Sequence, residues 1–131
     1  MSNHELQQAG ILIVEDDEEL GRILMEEIQD QGMECRWSGS AEQALETMSG
    51  WLPDVVVSDL RLPGLDGLEF LKRTRSYVEE NPPDFLMITA FGTIARAVES
   101  LKAGAEDFLT KPLDLDHFML SLTRIVRNRN L

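Results

Sequence analysis

The chain has 131 residues, 43% hydrophobic and 27% charged, which suits one globular domain with a real core and leaves little room for a second. With 24 acidic against 12 basic residues the formal net charge is −12, so phosphate backbones repel the chain and direct nucleic-acid binding is disfavoured. No window approaches the roughly 20 apolar residues of a membrane span, and the single cysteine, Cys35, excludes an internal disulfide and fits a reducing cytoplasm.

Residues 1–9 are mostly polar, lack the apolar centre of a signal peptide and read as a flexible tail. Ile11–Val14 is a short apolar run suited to a buried strand, ending at Glu15-Asp16-Asp17. Leu20, Ile23, Leu24 and Ile28 then recur at helical spacing, with Gly32 as a stop. Met33–Trp37 suits a second strand. Ser40 with Gln43 has the form of a capping box and opens a helix whose apolar face is Ala41, Ala44, Leu45 and Met48. Val55–Val57 is a β-branched run of the kind buried on both faces in a parallel sheet, and it leads into Asp59 and the Pro63-Gly64 turn. Asp66 with Glu69 signals a helix start, and Leu68, Leu71 and Val78 supply its inner face until Asn81-Pro82-Pro83 breaks it.

Phe85–Ile88 is a fourth strand, ending at Thr89-Ala90. Ile94, Ala97, Val98 and Leu101 predict an amphipathic helix with those residues inward, closed by Gly104. Asp107–Leu109 is a short fifth strand ending at Thr110-Lys111-Pro112. Leu115, Phe118, Met119, Leu122, Ile125 and Val126 mark the last helix. Strand and helix thus alternate five times, which predicts an α/β fold with a parallel sheet covered on both faces. The domain is expected over residues 10–127, with 128–131 its end or the start of a linker.

In the flavodoxin-like doubly wound order 2-1-3-4-5, ligands sit beyond the carboxyl ends of the strands, and the first and third strands are neighbours. Glu15, Asp16 and Asp59 would then share one pocket. Three close carboxylates resist ionisation unless a cation joins them, and Mg²⁺ suits such a site because it takes one or two carboxylates and accepts phosphate oxygens. Lys111 balances charge on a bound phosphoryl group, the Thr89 hydroxyl donates to another of its oxygens, and the small Ala90 admits it. These are the parts of phosphoryl transfer: a carboxylate nucleophile, a metal, and donors for the equatorial oxygens.

Ile13-Val14-Glu15-Asp16, Val57-Ser58-Asp59 with Pro63-Gly64, Thr89-Ala90 and Lys111-Pro112, in this order and each at a strand end, resemble the receiver domain of two-component response regulators. The resemblance runs from about Gly10 to Ile125. It implies that Asp59 is the phosphoacceptor, served by a sensor histidine kinase. It further implies that Asp16, Asp59 and the backbone carbonyl of Arg61 ligate Mg²⁺, with Glu15 acting through water. Lys111 and Thr89 would hold phosphoryl oxygens, Phe108 would be an aromatic switch moving with Thr89, and the Lys111–Pro112 bond would be cis. Residues 89–93 and 104–113 look most like NtrC-like transcriptional activators, in which ATPase and DNA-binding modules follow the receiver. Receivers often dimerise through the face formed by the fourth helix, fifth strand and fifth helix, where Arg96, Glu99, Lys102, Glu106 and Asp107 are candidates.

Taken alone, Asp59 reads as a surface loop acid; the convergence of Asp16, Thr89 and Lys111 reverses that. Asp17, Glu18 and Glu19 are better explained as first-turn acids favoured by the helix dipole. Cys35, Trp37 and Trp51 read as packing, and His4 and His117 as solvated surface residues. Arg61 and Phe91 flank the site and are expected to hinder water and prolong a phosphorylated state. The expectation is a signalling switch, not an enzyme beyond its own phosphorylation and dephosphorylation. A phosphorylation-independent scaffold is one alternative. An aspartyl-phosphate phosphatase of the haloacid-dehalogenase type is another, but Glu15-Asp16-Asp17 lacks its Asp-x-Asp form and the length leaves no room for a cap domain.

Overall fold

The computed structural model describes residues 4–90 and 94–129. Five strands, β1 (Gly10–Val14), β2 (Glu34–Ser38), β3 (Val55–Asp59), β4 (Asp84–Thr89) and β5 (Asp107–Thr110), form one parallel sheet in the order β2-β1-β3-β4-β5. The helices are α1 (His4–Gln7), α2 (Glu18–Asp30), α3 (Ala41–Met48), α4 (Gly67–Tyr77), α5 (Ile94–Lys102) and α6 (Leu115–Arg129). This is the expected α/β architecture with one additional helical turn, α1, at its start. The helices anticipated as fourth and fifth are therefore α5 and α6.

Alternate side chains of each strand point to opposite faces, so each apolar run serves two cores. Ile11, Ile13, Val55, Val57, Leu86, Ile88 and Leu109 pack with Leu24 and Ile28 of α2 and with Phe118, Leu122, Ile125 and Val126 of α6. Leu12, Val14, Val56, Phe85 and Met87 pack with Ala41 and Ala44 of α3, Leu68, Phe70 and Leu71 of α4, and Ala97 of α5. Phe70 meets Phe85 edge to face, with ring centroids 5.4 Å apart. Cys35 is buried on β2, and that burial pushes its thiol up to about 12. Such a thiol is inert packing.

Local helix signals work as the residue types dictate. Asp17, Ser40 and Asp66 cap α2, α3 and α4, their side chains accepting from the backbone N–H three residues on. Gln43 closes its turn by accepting from Gly39 N at 3.0 Å.

Three local expectations need correction, and the C-terminal end of the domain is helical. Within the presumed tail, Leu6 and Ala9 are buried, and α1 lies against α6; two apolar residues among polar ones make too small a pattern to read from sequence. Val78 falls past the end of α4 and is half-buried. α6 continues through Arg129, whose guanidinium donates to Pro82 O at 3.0 Å and Asn81 O at 3.1 Å and pairs with Asp84 at 3.4 Å. On α5 the buried residues are Ala97 and Ser100, while Ile94, Val98 and Leu101 are 43%, 41% and 37% exposed. Small side chains let α5 sit close to the sheet, so its larger apolar residues face outward.

Candidate functional site

The polar strand ends converge at one edge of the sheet. β1 and β3 pair directly, Val14 opposite Ser58, which brings Glu15 and Asp16 beside Asp59. One ligand oxygen from each of Glu15, Asp16 and Asp59 lies within 4.8 Å of the others. Glu15 is fully buried and Asp59 is 5% exposed, whereas Asp16 faces solvent. From the end of β5, Lys111 Nζ reaches Asp59 Oδ2 at 2.7 Å and Glu15 Oε1 at 2.9 Å. The first contact is an aligned hydrogen bond. The second is an ion pair that leaves Glu15 Oε1 without an aligned donor.

Each remaining acceptor of the two buried carboxylates takes a backbone donor. Arg61 N donates to Asp59 Oδ1 at 2.9 Å and Asp17 N to Glu15 Oε2 at 3.1 Å. Burial pushes the Glu15 carboxyl up to about 7; Asp59 adds to that by repulsion, and Lys111 and the Asp17 N–H pull against it. Burial also opposes the Lys111 charge, yet its bonds to Asp59 and Glu15 outweigh that and hold its pKa above the usual value. A carboxylate trio that one ammonium only partly neutralises has the donor chemistry of a hard divalent cation site.

Thr89, the last residue of β4, is buried, and its hydroxyl donates to Ala90 O at 3.2 Å. Lys111 N donates to Thr89 O at 2.8 Å, tying the ends of β4 and β5 together. Phe108 on β5 is half-buried against the second core. The Lys111–Pro112 peptide bond is cis. The Arg61 side chain is exposed; Phe91 and the His4 side chain lie outside the described residues. Asp17 caps α2, with Glu18 and Glu19 in its first turn. Among the expected docking residues, Arg96 pairs with Asp66 at 2.7 Å and Asp107 with Arg124 at 3.1 Å.

Sequence reasoning missed residues that shape the site without carrying chemistry. Gly67 opens α4 directly against the end of β3: a Cβ there would lie 2.3 Å from Asp59 O. Glu42 on α3 accepts from Leu65 N at 3.0 Å, holding the loop after β3. That bond, its largest cause, lowers the Glu42 pKa. The Trp37 indole N–H donates to Glu15 O at 2.9 Å. A glycine at a helix start is the sequence signal among them, and it names no partner.

Comparison with known proteins agrees with this geometry. The family model of the response regulator receiver domain matches residues 11–123. Regulatory protein AtoC of Escherichia coli K12 is 35% identical over 121 residues, covering 92% of this chain and 26% of that protein. Transcriptional regulatory protein ZraR of Klebsiella oxytoca is 34% identical, covering 95% of this chain and 28% of that protein. The chain thus spans about a quarter of the curated relatives it matches. Among solved structures, NtrX from Brucella abortus superposes with a TM-score of 0.86 at 31% identity, over 93% of this chain and 28% of that one. A putative response regulator from Chloroflexus aurantiacus superposes with a TM-score of 0.84 at 33% identity, over 91% of this chain and 98% of that one. Family match, fold and strand-end constellation coincide: the chain belongs to the response regulator receiver domains and is related to NtrC-type activators.

Proposed function

We propose that this domain is a phosphorylation switch in which Asp59 accepts a phosphoryl group from a sensor histidine kinase, with Mg²⁺ bound at the acidic cluster. The observation that carries the reading is the meeting of Glu15, Asp16 and Asp59 with Lys111 at adjacent strand ends. In the transfer, an Asp59 carboxylate oxygen forms a bond to phosphorus as the P–N bond of the donor phosphohistidine breaks, and the electron pair returns to the imidazole nitrogen. Asp16 and Asp59, with the Arg61 backbone carbonyl, would hold Mg²⁺, and Glu15 would act through water. When bound, the ion neutralises charge on the carboxylates and the incoming phosphoryl oxygens.

Lys111 already lies 2.7 Å from the acceptor carboxylate and supplies a fixed cation for one phosphoryl oxygen. The Thr89 hydroxyl exchanges its bond to Ala90 O for a second phosphoryl oxygen, and Phe108 follows from its half-buried position. Ala90 leaves room for the group to enter. The response is read on the face of α5, β5 and α6, where Ile94, Val98, Leu101 and Leu120 are exposed, and phosphorylation favours a homodimer there. In a longer protein the output would be ATPase and DNA-binding modules controlling transcription, in the cytoplasm. Among the described residues no helix is long and apolar enough to cross a membrane.

Intact mass after incubation with acetyl phosphate tests this. The expected result is one added phosphoryl group that requires Mg²⁺ and is absent in Asp59→Asn. No modification, with no binding of a slow-hydrolysing phosphoryl mimic, would overturn the proposal in favour of a phosphorylation-independent scaffold.

A further inference from the structure

The last two residues of β2 hold both backbone polar groups of Glu15. Glu15 N donates to Ser38 O at 3.1 Å, and its carbonyl accepts from the Trp37 indole at 2.9 Å. The second bond belongs to the peptide that joins Glu15 to Asp16. Asp16 is exposed, and among the described residues its side chain makes no hydrogen bond or ion pair. Its place beside Glu15 and Asp59 therefore depends on the backbone that carries it.

The indole is itself held close. It lies against α2 at Gly21, where a Cβ would come within 2.6 Å of Trp37 Cε2 and 2.7 Å of Nε1. Gly21 has ordinary helical backbone; what it provides is the space for the ring. Helix α2 thus seats the ring, the ring fixes the Glu15 carbonyl, and the carbonyl orients the acidic loop. Partners one step removed from a metal ligand commonly change affinity about 10–100-fold when lost.

We infer that Trp37 is a positioning residue for the cation site, setting Mg²⁺ affinity through the Glu15–Asp16 peptide. The inference rests on the proposal that the acidic cluster binds Mg²⁺. Trp51 supplies a matched control: it packs over Gly10, at the start of β1 and the opposite end of the sheet from the site.

Mg²⁺ titration by calorimetry, on wild type, Trp37→Phe, Gly21→Ala and Trp51→Phe, tests it. Trp37→Phe keeps a packed ring and removes the N–H, and is expected to bind Mg²⁺ about ten-fold more weakly. Gly21→Ala keeps the N–H but displaces the ring, and weakens binding in the same direction. Trp51→Phe retains wild-type affinity. In the wild type, the Trp37 indole proton resonance shifts with Mg²⁺ and that of Trp51 does not. Trp37→Phe binding within two-fold of wild type would overturn the inference while leaving the cation site standing, as would an equal loss in Trp51→Phe. Absence of Mg²⁺ binding by the wild type would overturn the cation site and this inference with it.

Discussion

Substituting Gly67 with alanine probes how closely the site is built. Gly67 begins α4, and its N–H donates to Leu60 O at 3.0 Å. An added Cβ would lie 2.3 Å from Asp59 O, 2.9 Å from Leu60 Cα and 3.1 Å from Asp59 C. All three are backbone atoms that no side-chain rotation clears, so either α4 or the end of β3 must move. Overpacking of this kind costs about 1–3 kcal/mol. The better helix propensity of alanine returns at most about 1 kcal/mol. Taking the middle of each range, about 2 less about 0.5 kcal/mol, the expected net loss is about 1.5 kcal/mol in urea unfolding, or roughly 4–8 °C in melting temperature. Asp59 lies on the moving backbone, so acetyl phosphate labelling should slow as well. Gly50→Ala, with nothing within 4 Å of the added methyl, should be nearly neutral in both assays. A Gly67→Ala domain as stable as wild type would refute the close-approach reasoning.

Two further outcomes follow from the charges. Glu15, raised by burial from 4.5 to about 7, holds a proton in the folded state that the unfolded chain has released, so metal-free stability falls as pH rises from about 4.5 to 7 and levels off above. At about 1.4 kcal/mol per pH unit, discounted for screening by the solvent-facing side of the pocket, the stability gap between Glu15→Gln and wild type should widen by roughly 2 kcal/mol between pH 5 and 8 in EDTA; a pH-independent gap in urea unfolding would contradict it. Arg129→Met should cost about 1–3 kcal/mol in the same assay, because the loss strips donors from Pro82 O and Asn81 O and an ion-pair partner from Asp84; a loss under about 0.5 kcal/mol would show that the end of α6 is held otherwise.

The amino-acid sequence by itself determined the alternation of elements and which polar residues end the strands. The Val55–Val57 run, the caps at Asp17, Ser40 and Asp66, and the acids and Lys111 at strand ends are local features, read from residues within a turn or two of each other. A parallel sheet then places every strand's carboxyl end on one edge, so the constellation was legible once the order was known. Tertiary structure decided what depends on a neighbour's shape. α5 carries an apolar stripe and a small-residue stripe, and only the sheet surface selects Ala97 and Ser100 for burial. Gly21 and Gly67 look like any helical glycine until Trp37 and the Asp59 backbone lie against them. Leu6 and Arg129, at opposite ends of the chain, gain their roles only through partners that folding brings to them. Periodicity is a property of a segment, whereas close approach is a property of a pair, and no single segment encodes the pair.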